Sequence, residues 1–174
     1  MNIWLTSDQH YNHAHVIRYC NRPFDSVKEM NEALITYHNE LVRPGDLCYN
    51  LGDFAFKTPE VYLKKLNGSH CLVKGNHDDL KKCQKAGFAW VKDVYGLKVD
   101  KKYYFWLSHY AHRTWNKSHH GSFHCYGHSH GDLPEFGRSC DVGVDAWNYR
   151  PVNLEQIIEK LKDRHITDHH CNGE

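Results

Sequence analysis

Short apolar runs that end abruptly in polar side chains recur along this chain. Each run is followed at once by Asp, Asn, His or a Gly that precedes one of them, and the runs occupy residues 3–7, 47–51, 72–74, 104–108 and 123–126. Runs of this length predict buried strands. One such ending is typical of a turn, because Gly, Asn and Asp are turn residues. Five in series favour a polar site at the strand ends, where open α/β sheets bind ligands.

Helical patterns alternate with the first three of these runs. Ser26 followed by Glu29 predicts a capping box at the start of a helix that extends to about residue 41. Thr58 before Pro59 predicts the start of a second helix, a third is expected to about residue 86, and a final helix is expected over 154–161. Strand, helix, strand is the order found in a mostly parallel sheet.

The pattern changes after residue 87. Three β-rich runs separated by turns occupy residues 88–94, 95–99 and 102–107, and residues 99–102 resemble a hairpin connection. The second half is therefore expected to form antiparallel or mixed β-structure.

The length of 174 residues predicts one domain with a substantial core, over residues 1–163. Residues 164–174 are expected to form a flexible tail. No segment approaches the roughly 18 uninterrupted apolar residues that a membrane span needs, and Met1 and Asn2 lead into a strand without a charged leader. A soluble, cytoplasmic protein without a membrane partner is expected.

Cysteine usage and charge narrow the function classes. The seven cysteines include no C-x-x-C pair and several lie in apolar strands, which favours buried reduced thiols over disulfides or a zinc ribbon. The 22 Lys and Arg nearly balance the 21 Asp and Glu, so no broad basic face for long nucleic acid is expected. The 16 histidines are the anomaly, because imidazole is the commonest metal ligand.

Some of the polar strand ends have the chemistry of metal ligands. Asp8 and His10 lie at positions i and i+2, which point the same way on an extended chain, so one carboxylate and one imidazole can bind one ion. Asp53 follows Gly52, and its two carboxylate oxygens suit a bridge between two cations. Oxygen, amide and imidazole ligands without thiolate favour manganese or iron, with zinc and nickel as alternatives.

Five motifs follow one another in a fixed order: D-x-H at 8–10, G-D at 52–53, G-N-H-D at 75–78, a single His at 109 and G-H-x-H at 127–130. This series, which extends over about two-thirds of the chain, resembles the signature of the calcineurin-like metallophosphoesterase family. The segments at 22–24 and 115–131 resemble its small bacterial and phage phosphohydrolase branch. The resemblance implies an α/β fold, a four-layer α/β/β/α sandwich in which helices flank two mixed β-sheets.

The resemblance also implies a centre of two divalent metal ions bridged by Asp53. The ligands of one metal would be Asp8, His10 and His130. The ligands of the other would be Asn76, His109 and His128. His77 would be the catalytic histidine, close to the substrate, and Asp78 would orient it.

The implied reaction is hydrolysis of a phosphate ester. Two cations roughly 3.5–4 Å apart would bind a phosphoryl oxygen and hold a bridging hydroxide that attacks phosphorus. His77 would protonate the leaving group as general acid. A phosphodiesterase acting on a nucleotide or another small molecule is slightly favoured. The alternatives are a phosphomonoesterase or nucleotidase, and a non-catalytic scaffold on the same fold; the complete ligand set counts against the scaffold.

Four residues near these motifs are candidates for substrate binding: His13, Arg22, His112 and Arg113. An arginine matches a phosphoryl group bidentately, but surface ion pairing is the alternative for Arg22. His13 is equally well interpreted as a surface or helix-start histidine. His112 and Arg113 lie where a loop lining the substrate is expected, and Asp145 closes the far side of this pocket or belongs to the core.

Overall fold

The computed structural model describes residues 1–167, and these residues form nine strands in two sheets. The strands are β1 (Ile3–Thr6), β2 (Leu47–Asn50), β3 (Ser69–Val73), β4 (Val91–Lys92), β5 (Val94–Val99), β6 (Tyr103–Ser108), β7 (Phe123–Tyr126), β8 (Ser139–Asp141) and β9 (Val152–Asn153).

The first sheet has the strand order β4-β3-β2-β1-β9. Strands β1 to β4 are parallel, and β9 pairs antiparallel with β1. The parallel strands end at one edge of the sheet, and the first three of them are followed by the D-x-H, G-D and G-N-H-D motifs. The predicted parallel sheet is confirmed, and it gathers these motifs at a common edge.

The second sheet has the order β5-β6-β7-β8. Strands β5 and β6 form an antiparallel hairpin, whereas β6, β7 and β8 are parallel, so the sheet is mixed as expected. Residues 100–102 connect the two strands, and the Lys102 amide donates to the Val99 carbonyl oxygen at 3.1 Å. Asp100 and Lys101 have φ values of 49° and 56°, the positive values that the central residues of a type I′ turn require.

Five helices accompany the sheets: α1 (Ala14–Tyr19), α2 (Val27–Leu41), α3 (Pro59–Leu63), α4 (Leu80–Ala86) and α5 (Leu154–Leu161). Side chains of the first four, including Met30, Leu34 and Leu63, form one hydrophobic cluster with Leu72 of β3. Helix α5 contacts β1 and β9 of one sheet and β8 of the other. Two mixed sheets flanked by helices confirm the expected α/β sandwich.

The main core lies between the two sheets. Alternation along β3 shows how it is formed: Cys71 and Val73 face the opposite sheet, whereas Leu72 packs against the helices. The second sheet contributes Phe105, Leu107 and other side chains, so both faces of the first sheet are buried. Burial on both faces accounts for the nearly continuous apolar run of β3.

The side-chain capping at two predicted helix starts differs from the prediction. Ser26 Oγ accepts a hydrogen bond from the Glu29 amide at 3.1 Å, but the Glu29 carboxylate accepts from the Asp25 amide at 2.8 Å, so the capping box is not reciprocal. Helix α3 begins at Pro59 without a side-chain cap from Thr58, and it ends at Leu63. Both starts lie where the sequence indicated.

Residues 164–167 are attached to the domain rather than forming the start of a flexible tail. Arg164 Nη2 donates to Glu135 Oε2 at 2.6 Å, and Thr167 is 4% exposed. The remainder of the expected tail, residues 168–174 with Cys171, lies outside the described residues. Among the helices within residues 1–167, none has the length and apolar character that crossing a membrane requires.

One buried histidine makes stability depend on pH. His124 is 0% exposed; its Nδ1 lies 3.0 Å from the Trp106 carbonyl oxygen, and its Nε2 accepts from the His112 amide at 2.9 Å. Burial lowers the pKa of His124 to about 4 from its ordinary 6.5. As the pH falls, His124 therefore binds a proton in the unfolded state before it does so in the folded state. This lowers the free energy of unfolding progressively between pH 6.5 and about pH 4.

We expect the free energy of unfolding to fall by about 3 kcal/mol from this source between pH 7 and pH 4. His124→Gln should flatten the acid side of a stability profile measured by urea unfolding, although the variant is less stable at pH 7. The exposed His120→Gln is the control and should keep the slope of the unsubstituted chain. Equal slopes for both variants would contradict this explanation.

Candidate metal centre

The predicted ligands converge where the strands of both sheets end. Asp8 follows β1, Asp53 follows β2, Asn76 follows β3, His109 follows β6 and His128 follows β7 closely. Five of the seven predicted ligands adopt left-handed backbone conformations, with φ between 49° and 66°: Asp8, His10, Asp53, His128 and His130. Side chains other than Gly rarely adopt this region, and such strain is concentrated at functional sites.

The first predicted ligand group is assembled as expected. One ligand atom from each of Asp8, His10 and His130 lies within 4.8 Å of the other two. Asp8 is 0% exposed; its Oδ2 accepts from the His128 amide at 2.9 Å, whereas its buried Oδ1 has no hydrogen-bond partner among residues 1–167. A buried carboxylate oxygen without a donor fits a divalent cation.

The second group brings together Asp53, His109 and His128, again with ligand atoms within 4.8 Å of one another. His109 Nδ1 lies 2.8 Å from the Leu51 carbonyl oxygen, which fixes Nδ1 as the protonated nitrogen of the neutral ring. His109 Nε2 lies 3.0 Å from Asn76 Oδ1, so the predicted amide ligand is at the same place. An imidazole lone pair beside acceptor oxygens fits a shared cation.

Asp53 lies between the two groups. Its Oδ2 is 3.6 Å from His10 Nε2 on one side and 3.5 Å from His109 Nε2 on the other. Its Oδ1 accepts a hydrogen bond from the His77 amide at 2.9 Å, which orients the carboxylate. Of the predicted ligands, Asp53 therefore has the position that a bridge between two cations requires.

The pKa values at the centre are mixed. Burial acts to lower the pKa values of His130 and His109, but hydrogen bonds to Asp145 and Asp53 raise both, that of His130 to about 10, so a bound cation would have to displace these protons. Burial raises the pKa of Asp8 to about 7, and burial lowers the pKa of His10 to about 3. Burial also acts to raise the pKa of Asp53, but the hydrogen bond and charge of His109 lower it to about 2. Metal ligation requires carboxylates that are ionised and imidazoles that are neutral. A divalent cation would supply the positive charge that keeps Asp8 ionised.

Two glycines allow these strand ends to approach each other. A Cβ on Gly75 would collide with the carboxylate and backbone nitrogen of Asp53, and a Cβ on Gly127 would collide with Ser7 and lie 2.5 Å from Asp8 Oδ2. The glycine that begins the G-N-H-D motif and the glycine that begins the G-H-x-H motif are therefore required because a side chain would not fit at either position.

Asp78 does not have the expected role. Its Oδ2 accepts from the amides of Asp53 and Gly75, both at 2.9 Å, and its Oδ1 accepts from the Phe54 amide at 3.0 Å. These three bonds engage both oxygens with backbone groups instead of the His77 imidazole. Asp78 is therefore a positioning residue that connects the G-D loop to the G-N-H-D loop.

Arg22 is not a substrate ligand either. Its side chain is 0% exposed and makes a bidentate pair with Asp145, with Nε to Oδ1 at 2.8 Å and Nη2 to Oδ2 at 2.7 Å. It also donates to the carbonyl oxygens of Asp8 at 2.6 Å and Gln9 at 3.0 Å. The prediction failed because the guanidinium supports the D-x-H turn from inside the protein.

Asp145 connects this support to a predicted ligand. Its Oδ2 lies 2.6 Å from His130 Nδ1, so that nitrogen is the donor and Nε2 remains available to a metal. Burial acts to raise the pKa of Asp145, but the hydrogen bonds from His130 and Arg22 lower it below its ordinary value. The sequence indicated Asp145 only as a pocket wall or core residue, since its partners Arg22 and His130 lie 123 and 15 residues away and no local pattern connects them.

His77 and His13 lie on one side of the centre. The exposed His77 ring is 5.4 Å from the His10 ring and 6.0 Å from the His13 ring, measured between centroids. His13 Nδ1 is 3.3 Å from His10 Nδ1, and its ring stacks on Phe56 at 5.1 Å. Both histidines are therefore close to the predicted ligands, at the surface.

The other two substrate candidates are separated. His112 borders a cavity of about 290 Å³ together with Asn76, His109 and Tyr110. Arg113 instead places its guanidinium carbon 4.4 Å from the centroid of the Phe136 ring. Tyr110 was not predicted, although it directly follows His109; its hydroxyl donates to Asn76 Oδ1 at 3.2 Å.

Comparison with known proteins supports this interpretation of the fold. No protein-family model matches the chain. The protein of unknown function AQ665 from Aquifex aeolicus superimposes with a TM-score of 0.73 at 22% identity, covering 92% of this chain and 99% of that one. A structurally and functionally characterised archaeal phosphodiesterase superimposes with a TM-score of 0.50 at 18% identity, covering 82% of each chain.

The two-sheet sandwich, with the five motifs at its strand ends, has the fold of the characterised archaeal phosphodiesterase. The uncharacterized protein MJ1445 from Methanocaldococcus jannaschii is 35% identical over 172 residues, which cover 92% of this chain and 91% of that protein. The chain belongs to the family of this archaeal protein.

The support that Arg22 gives to the D-x-H turn is testable. Arg22→Met leaves the Asp145 carboxylate buried without its partner, and breaking a buried ion pair costs about 3–5 kcal/mol. We expect this loss in urea unfolding, together with weaker manganese binding in calorimetry because the Asp8 carbonyl loses its donor. The exposed Arg18→Met is the control. Unchanged stability and manganese affinity in Arg22→Met would contradict this role.

Proposed function

We propose that the protein is a metal-dependent phosphoesterase that hydrolyses phosphodiesters. The observation that carries this proposal is the position of Asp53, whose Oδ2 lies within 3.6 Å of histidines from both ligand groups. Two ligand groups sharing one carboxylate are suited to two divalent cations, and two-metal sites are typical of phosphoryl chemistry. The archaeal phosphodiesterase with the same fold gives independent support.

The residues proposed to hold the two cations are Asp8, His10 and His130 for one and Asn76, His109 and His128 for the other, with Asp53 shared. When bound, such ions supply Lewis acidity toward a phosphoryl oxygen and lower the pKa of a water molecule. The absence of a cysteine from this set favours manganese or iron, with zinc and nickel as alternatives.

His77 is proposed as the general acid. Its backbone amide is held by Asp53 Oδ1 at 2.9 Å, while its ring is exposed beside His10 and His13. The backbone of His77 is therefore held by the shared carboxylate, and its ring remains accessible to a leaving group. An exposed imidazole next to the substrate can donate the proton that an alkoxide needs at neutral pH.

Two cavities beside the centre favour a diester over a monoester. One has a volume of about 290 Å³ and is bordered by Asn76, Tyr110 and Lys74 among others. The second has a volume of about 170 Å³ and is bordered by His77 and Phe56. A diester has two ester groups and a monoester only one. Each cavity also presents an exposed aromatic ring, since Tyr110 is 49% and Phe56 is 39% exposed.

A small nucleotide diester would fit these features. Aromatic rings stack on nucleobases regardless of base identity, and Lys74 borders one cavity while Lys57 and Lys82 border the other. The proposed setting is the cytoplasm, which is supported by free thiols at each of the six cysteines between residues 1 and 167. The complete set of ligand side chains argues against the scaffold alternative.

The first test compares a variant of the shared carboxylate with one of the proposed acid. Asp53→Asn should bind manganese much more weakly and lose activity on bis(p-nitrophenyl) phosphate. His77→Ala should retain both metals, measured by elemental analysis, while kcat falls about 100-fold or more, the usual contribution of general acid catalysis. The exposed His15→Ala, outside the ligand set, is the control. Loss of metal in His77→Ala would contradict its proposed role.

The second test concerns the two cavities. Tyr110→Ala and Phe56→Ala should each lower kcat/KM for bis(p-nitrophenyl) phosphate, because one aryl group loses its stacking partner. At least one of them should affect p-nitrophenyl phosphate less, since a monoester occupies only one cavity. Tyr19→Ala is the control, because Tyr19 is 78% exposed on helix α1. Faster turnover of the monoester than of the diester by the unsubstituted enzyme would favour the monoesterase alternative.

A further inference from the structure

A buried cluster of two histidines and a cysteine lies away from the candidate centre. His38 is on helix α2, Cys48 is the second residue of β2 and His70 is the second residue of β3. They are 4%, 0% and 5% exposed, respectively. The candidate centre lies beyond the carboxyl ends of these strands, so the cluster is near the opposite end of the sheet. We name it the His-Cys cluster.

Sheet register explains why these side chains meet. Cys48 and His70 are direct neighbours in the β2–β3 pairing. The residues that follow them, Tyr49 and Cys71, face the core between the sheets, so alternation directs Cys48 and His70 to the helical side. His38 reaches them from α2, and its ring stacks on that of His70 with 5.2 Å between centroids.

Hydrogen bonding leaves this cluster unsatisfied. The Nε2 atoms of His38 and His70 both lie 3.0 Å from the Asn67 carbonyl oxygen, so each Nε2 carries the proton that it donates. The lone pair of each neutral ring is then on Nδ1. The buried Nδ1 of His70 has no hydrogen-bond partner within residues 1–167. An unpaired buried acceptor costs free energy unless a donor or a cation meets it.

The same bonds have the pattern that surrounds a metal-bound histidine. A histidine ligand usually donates its second ring nitrogen to a carbonyl or carboxylate, which fixes the tautomer and the orientation of the ring. One ligand atom from each of His38, Cys48 and His70 lies within 4.8 Å of the other two. Zinc bonds of roughly 2.0–2.3 Å place tetrahedral ligand atoms about 3.3–3.6 Å apart, so small side-chain adjustments would close the site.

We propose that His38, Cys48 and His70 form a zinc site with three protein ligands, separate from the candidate metal centre, in which a water molecule from the cavity beside His70 would complete the tetrahedron. Its ligand set of two nitrogens and one sulfur suits zinc, whereas the seven ligands proposed for the candidate centre are three oxygen donors and four imidazoles, without a thiolate. Binding converts the Cys48 thiol to a thiolate bound to zinc, and the displaced proton is released to solvent. The imidazoles bind as neutral rings and lose no proton.

Burial raises the pKa of the Cys48 thiol, so the thiolate would form only together with the bound cation, whereas the two imidazoles already have the required protonation state. Burial lowers the pKa of His38 and lowers that of His70 to about 4, so both rings are neutral at pH 7. Trp4 and Val42 pack around Cys48 and exclude water from the thiolate side. His70 also borders an open cavity of about 580 Å³, which provides a route for entry of the ion. The bound zinc would connect α2 to two central strands.

Cobalt substitution distinguishes this site from the candidate centre. The full-length chain is prepared with Cys20→Ala and Cys171→Ala, because Cys20 lies near His130 and Asp145 and Cys171 lies outside the described residues. In this background, Co²⁺ should give a near-ultraviolet absorption band from thiolate-to-cobalt charge transfer. Adding Cys48→Ala should abolish the band and remove one equivalent of bound metal per chain.

The matched control is Cys71→Ala, which removes a buried thiol from the adjacent strand on the opposite face of the sheet. It should retain the band and the full metal content. If Cys48→Ala fails to fold, X-ray absorption of the zinc-loaded background protein provides the second measurement, and a sulfur neighbour at roughly 2.3 Å is expected. A cobalt spectrum without the thiolate band, a band that survives Cys48→Ala, or zinc without a sulfur neighbour would overturn the proposal.

Discussion

The carboxylate of Asp53 is the group on which the candidate centre depends. One of its oxygens lies within 3.6 Å of imidazole nitrogens from both ligand groups, and the other accepts the His77 amide. This arrangement requires the ends of four strands, β1, β2, β3 and β6, to approach one another closely. The backbone achieves this through residues in the left-handed region and through glycines that leave room for their neighbours. The strain is acceptable because the surrounding hydrogen bonds determine the conformation.

Two carboxylates away from the metal positions supply those hydrogen bonds. Asp78 holds the backbone amides of Asp53 and Gly75 together, and Asp145 receives both Arg22 and His130. Asp78 accepts from three backbone amides, and Asp145 pairs with a guanidinium and an imidazole; such hydrogen bonds are the condition for tolerating a carboxylate inside a protein. The ligands are therefore positioned by polar contacts, while the apolar core between the sheets sets where the strands end.

The two ends of the first sheet illustrate different uses of the same residue types. At the carboxyl ends, carboxylates and imidazoles face a surface with two cavities, which suits exchange of substrates and products. Near the amino ends, the His-Cys cluster is closed by helix α2 and apolar side chains. Burial of this kind suits an ion that connects α2 to two strands, and the cavity beside His70 gives that ion a route of entry.

The sequence by itself determined the parallel strands, the helices between them and the set of candidate ligands, because periodicity and strand-end residues are local properties. The fold class followed from the order of the motifs, through their resemblance to the calcineurin-like metallophosphoesterase family. Only the tertiary structure decided the roles of Arg22 and Asp78, because the role of a guanidinium or a carboxylate depends on the groups that it contacts in the fold. It also revealed the His-Cys cluster, whose members lie 10 and 22 residues apart and meet through strand register and the position of α2.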